Sequence, residues 1–173
     1  PGYYRQPEKT AETFVDGWVH TGDKARIDED GFCFLTGRVK DYFKTIHGKY
    51  VAPAPIENVF ARNQWVEQLC LLGRGYSKTV MVCVPTEIAL QENREKIGAS
   101  LRAQAEAVND SIESHARIGA VLISSQPWTI ENGTLTPTLK LKRDMIESLF
   151  GERAGALAHE AAIDKAILIE WAD

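Results

Sequence analysis

Between His20 and Lys44 the chain reads HTGDKARIDEDGFCFLTGRVKDYFK, with Asp23 following Thr-Gly and Arg38 following a second glycine fifteen positions later. A carboxylate accepts hydrogen bonds on two oxygens and a guanidinium donates them in a fixed fork, so the two can grip one polar ligand together. The same two residue types also make ordinary surface ion pairs of little energetic worth. A second charged island, LTPTLKLKR, places Lys140, Lys142 and Arg143 within four positions. By residue type alone such a run is a solvated face.

For Asp23 and Arg38 to act together the chain between them must reverse. Residues 18–20 and 24–27 read as strand, Asp28-Glu29-Asp30-Gly31 as a tight turn and residues 32–35 as the returning strand. Glycine accepts positive φ at such a reversal without steric cost. A second hairpin is predicted over 42–46 and 49–51, turning at His47-Gly48. Pro53 and Pro55 stop it, and Pro55 suits the first position of a helix over 56–62. VEQLCLLGR and TVMVCVP are short apolar runs rich in β-branched residues, so they read as buried strands joined by a turn at Gly73, Gly75 and Ser77. A helix from Glu87 or Glu92 to His115 carries Ile97, Leu101, Val108 and Ile112 as one apolar stripe. Residues 118–125 return as a strand. After an Asn-Gly turn and a proline-containing loop, helices are expected over 141–150 and 154–166, and ILIEW closes the chain. Helices and strands mixed around one core give an α+β fold, a central sheet flanked by helices plus a β-hairpin.

Composition narrows the function classes. The chain has 173 residues, 44% of them hydrophobic and 25% charged, which suits one domain, or one domain with a piece of another, around an apolar core. A net charge of −4 argues against a nucleic-acid partner. No apolar run reaches the length of a membrane span and no signal peptide opens the chain. Cys33, Cys70 and Cys83 are far apart without a CxxC spacing, so neither a metal site nor a disulfide framework is expected, and the thiols read as reduced and cytoplasmic. The opening PGYYRQPEKTAETFVDGW lacks a methionine and reads as the interior of a larger protein cut at residue 1.

Three islands, GWVHTGD (17–23), GRVKDYFKTIHGKYVAPAPIE (37–57) and LTPTLKLKR (135–143), together resemble the late motifs of the adenylate-forming enzymes: acyl-CoA synthetases, peptide-synthetase adenylation domains and luciferases. GRVKD and TPTLK are most similar to the long-chain fatty acyl-CoA synthetase branch. The resemblance implies that residues 1–39 end a large adenylation domain and that 40–173 form the small mobile domain. It implies that Asp23 and Arg38 hold the ribose of ATP, that Lys40 is the hinge, and that Gly48 lies in the loop lining the pantetheine tunnel for CoA. A glycine in that loop lets the backbone approach a thin ligand, and it also serves a plain hairpin. Lys140 matches the catalytic lysine, with Arg143 three positions on as in the motif; Lys142 is the competing candidate. Lys40 departs mildly from the family's usual aspartate. Glu57 matches the motif but reads as a helix-start carboxylate placed by the dipole. His47 receives no role.

The earlier motifs of that family, the phosphate loop and the acyl pocket, are absent. The resemblance therefore implies part of an ATP-, Mg²⁺- and CoA-dependent ligase of a carboxylic, most simply fatty, acid, with the missing N-terminal domain as its partner. The fragment alone is expected to be inactive and to hold no cofactor tightly. The parent is expected to be cytoplasmic, open to peripheral membrane association. Two alternatives remain: an adenylation unit serving a carrier protein or reductase domain, and a stand-alone interaction module using residues 144–173.

Overall fold

The computed structural model describes residues 2–172; Pro1, and with it the expected cut, lies outside them. The chain divides into two units, Pro1–Asp41 and Tyr42–Asp173. In the first, helix α1 (Pro7–Thr13) leads into a two-residue pair, β1 (Phe14–Val15) and β2 (Trp18–Val19). Their turn is Asp16-Gly17, both at positive φ (50° and 83°), the conformation a two-residue hairpin turn demands. Residues 18 and 19 thus pair backwards with 14 and 15 and do not extend the next hairpin.

That hairpin is β3 (Asp23–Ile27) against β4 (Cys33–Arg38). Its turn is built by Asp28, whose carboxylate accepts from the Asp30 and Phe32 amides at 3.1 and 2.9 Å. The register slips between Lys24 and Ala25, and Thr36, left without an opposite residue, donates its hydroxyl to the Lys24 carbonyl. None of the described residues of this unit is buried, and Trp18, Phe32 and Leu35 expose most of their surface.

The second unit opens with the hairpin β5 (Phe43–Lys44) and β6 (Tyr50–Val51), followed by α2 (Pro53–Phe60). The helix starts two residues before the expected first proline, because Pro53 and Pro55 both fit a first turn whose amides have no intrahelical acceptor. Strands β7 (Val66–Leu72) and β8 (Thr79–Pro85) are antiparallel. Then come α3 (Glu87–Leu90), α4 (Arg94–Asp110), β9 (Ile118–Ser124), α5 (Arg143–Asp164) and β10 (Leu168–Ala172). The sheet runs β10-β9-β8-β7, with β8, β9 and β10 mutually parallel.

Alternation along the central strands divides the core. Met81, Cys83, Val121 and Ile123 pack with Ile97 and Leu101 of α4 and with Phe60 of α2. Val80, Val82, Ala120 and Leu122 face Ile146, Leu157 and Ala158 of α5. Every residue of β8 and β9 is buried, as expected of parallel strands covered on both faces.

Two helices differ from expectation. The long helix before β9 is split by caps: the Thr86 hydroxyl accepts from Ala89 N–H and the Asn93 side chain from Glu95 N–H, so two helices start where one was predicted. It also ends at Asp110, where Asn109 turns to bond both the N–H and the C=O of Ile118 at 2.7 and 2.8 Å. Conversely, the two predicted C-terminal helices are one. Gly151 and Gly155 lie under the ring of Tyr76, whose hydroxyl donates to the Gly151 carbonyl at 2.7 Å. That packing outweighs the roughly 1 kcal/mol that a mid-helix glycine costs.

The cysteines follow from this burial. Cys33 is exposed while Cys70 and Cys83 are buried, and burial pushes the Cys83 thiol up to about 12. A thiol-reactive dye should label one cysteine fast in the native chain and all three after unfolding; fast labelling of two or more native thiols would contradict the packing.

Candidate functional site

Asp23 and Arg38 are Cα partners at the open end of the β3–β4 ladder, the first residue of one strand opposite the last of the other. Gly22, at φ 78°, turns the chain into the strand, and its carbonyl accepts from Val39 N–H at 2.8 Å, closing that end. The Arg38 Nε lies 3.7 Å from Asp23 Oδ1, and the two side chains keep 64% and 35% of their surface exposed. At that distance the pair is an ion pair without a good hydrogen bond, worth little to stability, and both groups retain capacity for a ligand. Lys40 follows in a single 3₁₀ turn, Val39–Asp41, at the end of the first unit.

Gly48 sits at the tip of the β5–β6 hairpin at φ 72°, donating to the Thr45 carbonyl at 2.9 Å. A Cβ there would meet nothing within 4 Å, so the tip is open and the glycine is required by its backbone angle. The hairpin is tied to the β7–β8 turn by Ile46 N–H donating to Tyr76 O and Gly75 N–H donating to Lys44 O. His115 Nε2 lies 3.1 Å from the Tyr50 carbonyl, bracing the returning strand. His47 makes none of these bonds.

The lysine island forms a small hairpin of its own. Thr136 N–H donates to Lys140 O at 2.8 Å and Lys140 N–H to the Thr136 hydroxyl at 3.0 Å. Between them Pro137-Thr138-Leu139 make a three-residue loop, closed by Leu139 N–H to Thr136 O, with Leu139 at φ 59°. A turn followed by a left-handed residue is a standard way to close such a loop, but leucine holds that conformation at a strain cost. Leu135 pairs with Leu141, and Lys142 N–H donates to Thr134 O. Lys140 is therefore the residue that leaves the loop tip, exposed. Lys142 is the N-cap of α5, its backbone committed to the helix start.

Arg143 is the first residue of α5 and points inward. Its guanidinium donates to both oxygens of Glu57 at 2.9 and 3.0 Å, to the Leu71 carbonyl at 3.0 Å and to Cys70 Sγ. Glu57 in turn accepts from Leu71 N–H at 2.7 Å. This corrects the expected role of Glu57. Because α2 begins at Pro53, Glu57 lies beyond the first turn and serves a partly buried ion pair, not the helix dipole. Its partner is 86 positions away, and nothing in the local sequence signals it. Thr136, which braces Lys140 through both its amide and its hydroxyl, carries no signal in the sequence beyond its spacing of four.

Among the described residues no group of three or more His, Cys, Asp or Glu is placed to hold a metal, and no helix is long and apolar enough to cross a membrane. Residues 40–165 match the model of the AMP-binding enzyme C-terminal domain. The chain belongs to that family. The mouse (Mus musculus) long-chain-fatty-acid–CoA ligase 5 is 34% identical over 168 residues, covering 86% of this chain and 25% of that protein. Among solved members, the adenylation domain of a carboxylate reductase from Mycobacterium chelonae superposes with a TM-score of 0.79 at 28% identity, covering 92% of this chain and 26% of that one. The A-PCP didomain of a carboxylic acid reductase from Segniliparus rugosus, in complex with AMP, gives 0.78 at 29% identity, covering 95% and 24%. The chain thus spans about a quarter of the length of these relatives.

Proposed function

We propose that this chain is the C-terminal part of an AMP-forming fatty acid–CoA ligase, which joins a carboxylic acid to ATP and then passes the acyl group to CoA. The observation that carries the reading is the cross-strand placement of Asp23 and Arg38, open to solvent and loosely paired at one end of a hairpin. The Asp23 carboxylate accepts from both ribose hydroxyls of ATP and Arg38 donates to the same sugar. Lys140, on the exposed loop end, sets a compact cation between the substrate carboxylate and the α-phosphate, two anions that repel as they approach. Lys40 is the hinge about which residues 40–173 turn as the mobile domain, and Gly48 gives the pantetheine arm of CoA a close backbone approach. ATP enters as its Mg²⁺ complex. Residues 1–39 complete a larger domain of the same parent, which covers the apolar surface of Trp18, Phe32 and Leu35. Alone, the chain forms no acyl-adenylate.

A second reading keeps the first half-reaction and changes the acceptor to a carrier-protein thiol serving a reductase domain. It is favoured by the two carboxylate reductase structures, which superpose over nearly the whole chain. Supplying the full-length enzyme with acid, ATP and either CoA or a pantetheinylated carrier protein separates the two acceptors. In the same assay Asp23→Ala should raise the KM for ATP by at least tenfold, since a charged hydrogen bond is worth about 1.5–3 kcal/mol. Unchanged ATP dependence would count against the ribose clamp.

A further inference from the structure

We infer that the Glu57–Arg143 ion pair is the device that positions Lys140, an inference that rests on the role proposed above for that lysine. Stability alone gives a poor account of the pair. Arg143 puts a cation at the first position of α5, the end of a helix that disfavours positive charge. Its partner comes from α2, and the two side chains retain only 18% and 14% of their surface. An ion pair so largely taken out of water gains little over well-packed apolar side chains. Its special property is angular. One terminal nitrogen, Nη2, donates to both Glu57 oxygens while the other, Nη1, donates to strand β7, so the planar guanidinium is held at two points, and Glu57 is itself fixed by the Leu71 amide at the same edge strand. A third bond to the Leu71 carbonyl and the contact with Cys70 lock the guanidinium to the same strand.

What is locked there is transmitted to Lys140. Between residues 134 and 142 the segment is braced internally by the Thr134–Lys142 and Thr136–Lys140 bonds and the Leu135–Leu141 bridge. So short and cross-bonded a hairpin moves as one piece, held at its start by Thr134 and Leu135, which bond Thr129, and at its end where it enters α5. Arg143 is that entry. Two residues separate the anchor from the lysine, and a reacting group displaced by about 1 Å can lose on the order of a hundredfold in rate. A lysine at 143 would keep the charge and lose the fork.

The test uses the full-length enzyme and reads two half-reactions, acid-dependent ATP–pyrophosphate exchange and acyl-CoA formation from pre-made acyl-adenylate, together with the melting temperature. Arg143→Lys should lower kcat for exchange by about 10–100-fold. The KM values for ATP and acid, and the second half-reaction, should stay within about twofold. Glu57→Gln, which keeps one acceptor for Arg143, should show the same split with a smaller loss, and it carries the test if Arg143→Lys does not fold. Equal loss of both half-reactions, tracking a lowered melting temperature, would mean a structural pair and overturn the inference. The double variant Lys140→Ala/Arg143→Lys should be no slower in exchange than Lys140→Ala, because Arg143 acts through that lysine. If Lys140→Ala collapses exchange and Arg143→Lys multiplies the loss, positioning fails while the lysine's role stands. If Lys140→Ala leaves exchange intact, the lysine's role has failed and the inference falls with it.

Discussion

Lys140→Ala in the full-length enzyme should cut acid-dependent ATP–pyrophosphate exchange by about 10²–10³-fold, the usual consequence of removing one preorganised group that meets charge developing in a transition state. Acyl-CoA formation from pre-made acyl-adenylate should survive, because the anionic encounter that needs the cation is then already past. Lys142→Ala is the internal control. Lys142 caps α5 and its amide is held by Thr134, but its side chain is exposed two residues past the loop end. The hairpin pleat turns neighbouring positions to opposite faces and alternate ones to the same face, so Lys142 would have to reach the same ligand from the helix start. Its removal should change exchange less than threefold, in line with a screened surface charge. Survival of both half-reactions in Lys140→Ala would remove the lysine from the mechanism. Loss in Lys142→Ala alone would move the role two residues along.

The parts of this arrangement legible in the sequence are those set by neighbours. Asp28-Glu29-Asp30-Gly31 dictates its turn through one carboxylate and one glycine, so the approach of Asp23 to Arg38 could be anticipated from spacing. Residues 69–72 and 80–84 are apolar throughout, and both runs became strands. What could not be read depended on distant partners. Gly151 and Gly155 look like a helix break until Tyr76, from a different turn, lies over them. Glu57 looks like a dipole carboxylate until Arg143 arrives from 86 positions on. The loop that presents Lys140 needs a leucine at positive φ, a conformation no local rule assigns to leucine. In the first two cases a tertiary contact overrode a local preference, while the loop is set by bonds between neighbours within 134–142; two of the three lie within the candidate site.

Lys40→Pro is expected to separate the two half-reactions in the opposite sense. Lys40 lies in the middle of the 3₁₀ turn Val39–Asp41, whose φ a proline ring can match, and Val39 N–H, not that of Lys40, makes the bond to Gly22. Folding should change less than the turning motion does, its cost being strain at Val39, a residue of the same turn. What proline removes is freedom: it fixes φ at position 40 near −65° and pushes Val39 away from the helical region. A hinge at Lys40 must pass through other backbone angles as the mobile domain turns, whereas adenylation needs one arrangement only. Exchange should thus persist within a fewfold, while acyl-CoA formation from pre-made adenylate should fall by 10-fold or more, as expected when a gating motion limits turnover. The melting temperature separates this from misfolding. A variant that loses both half-reactions with an early melt would show residue 40 to be structural. A variant that retains both would place the hinge elsewhere, with Asp41, the last residue of the first unit, the next position to substitute.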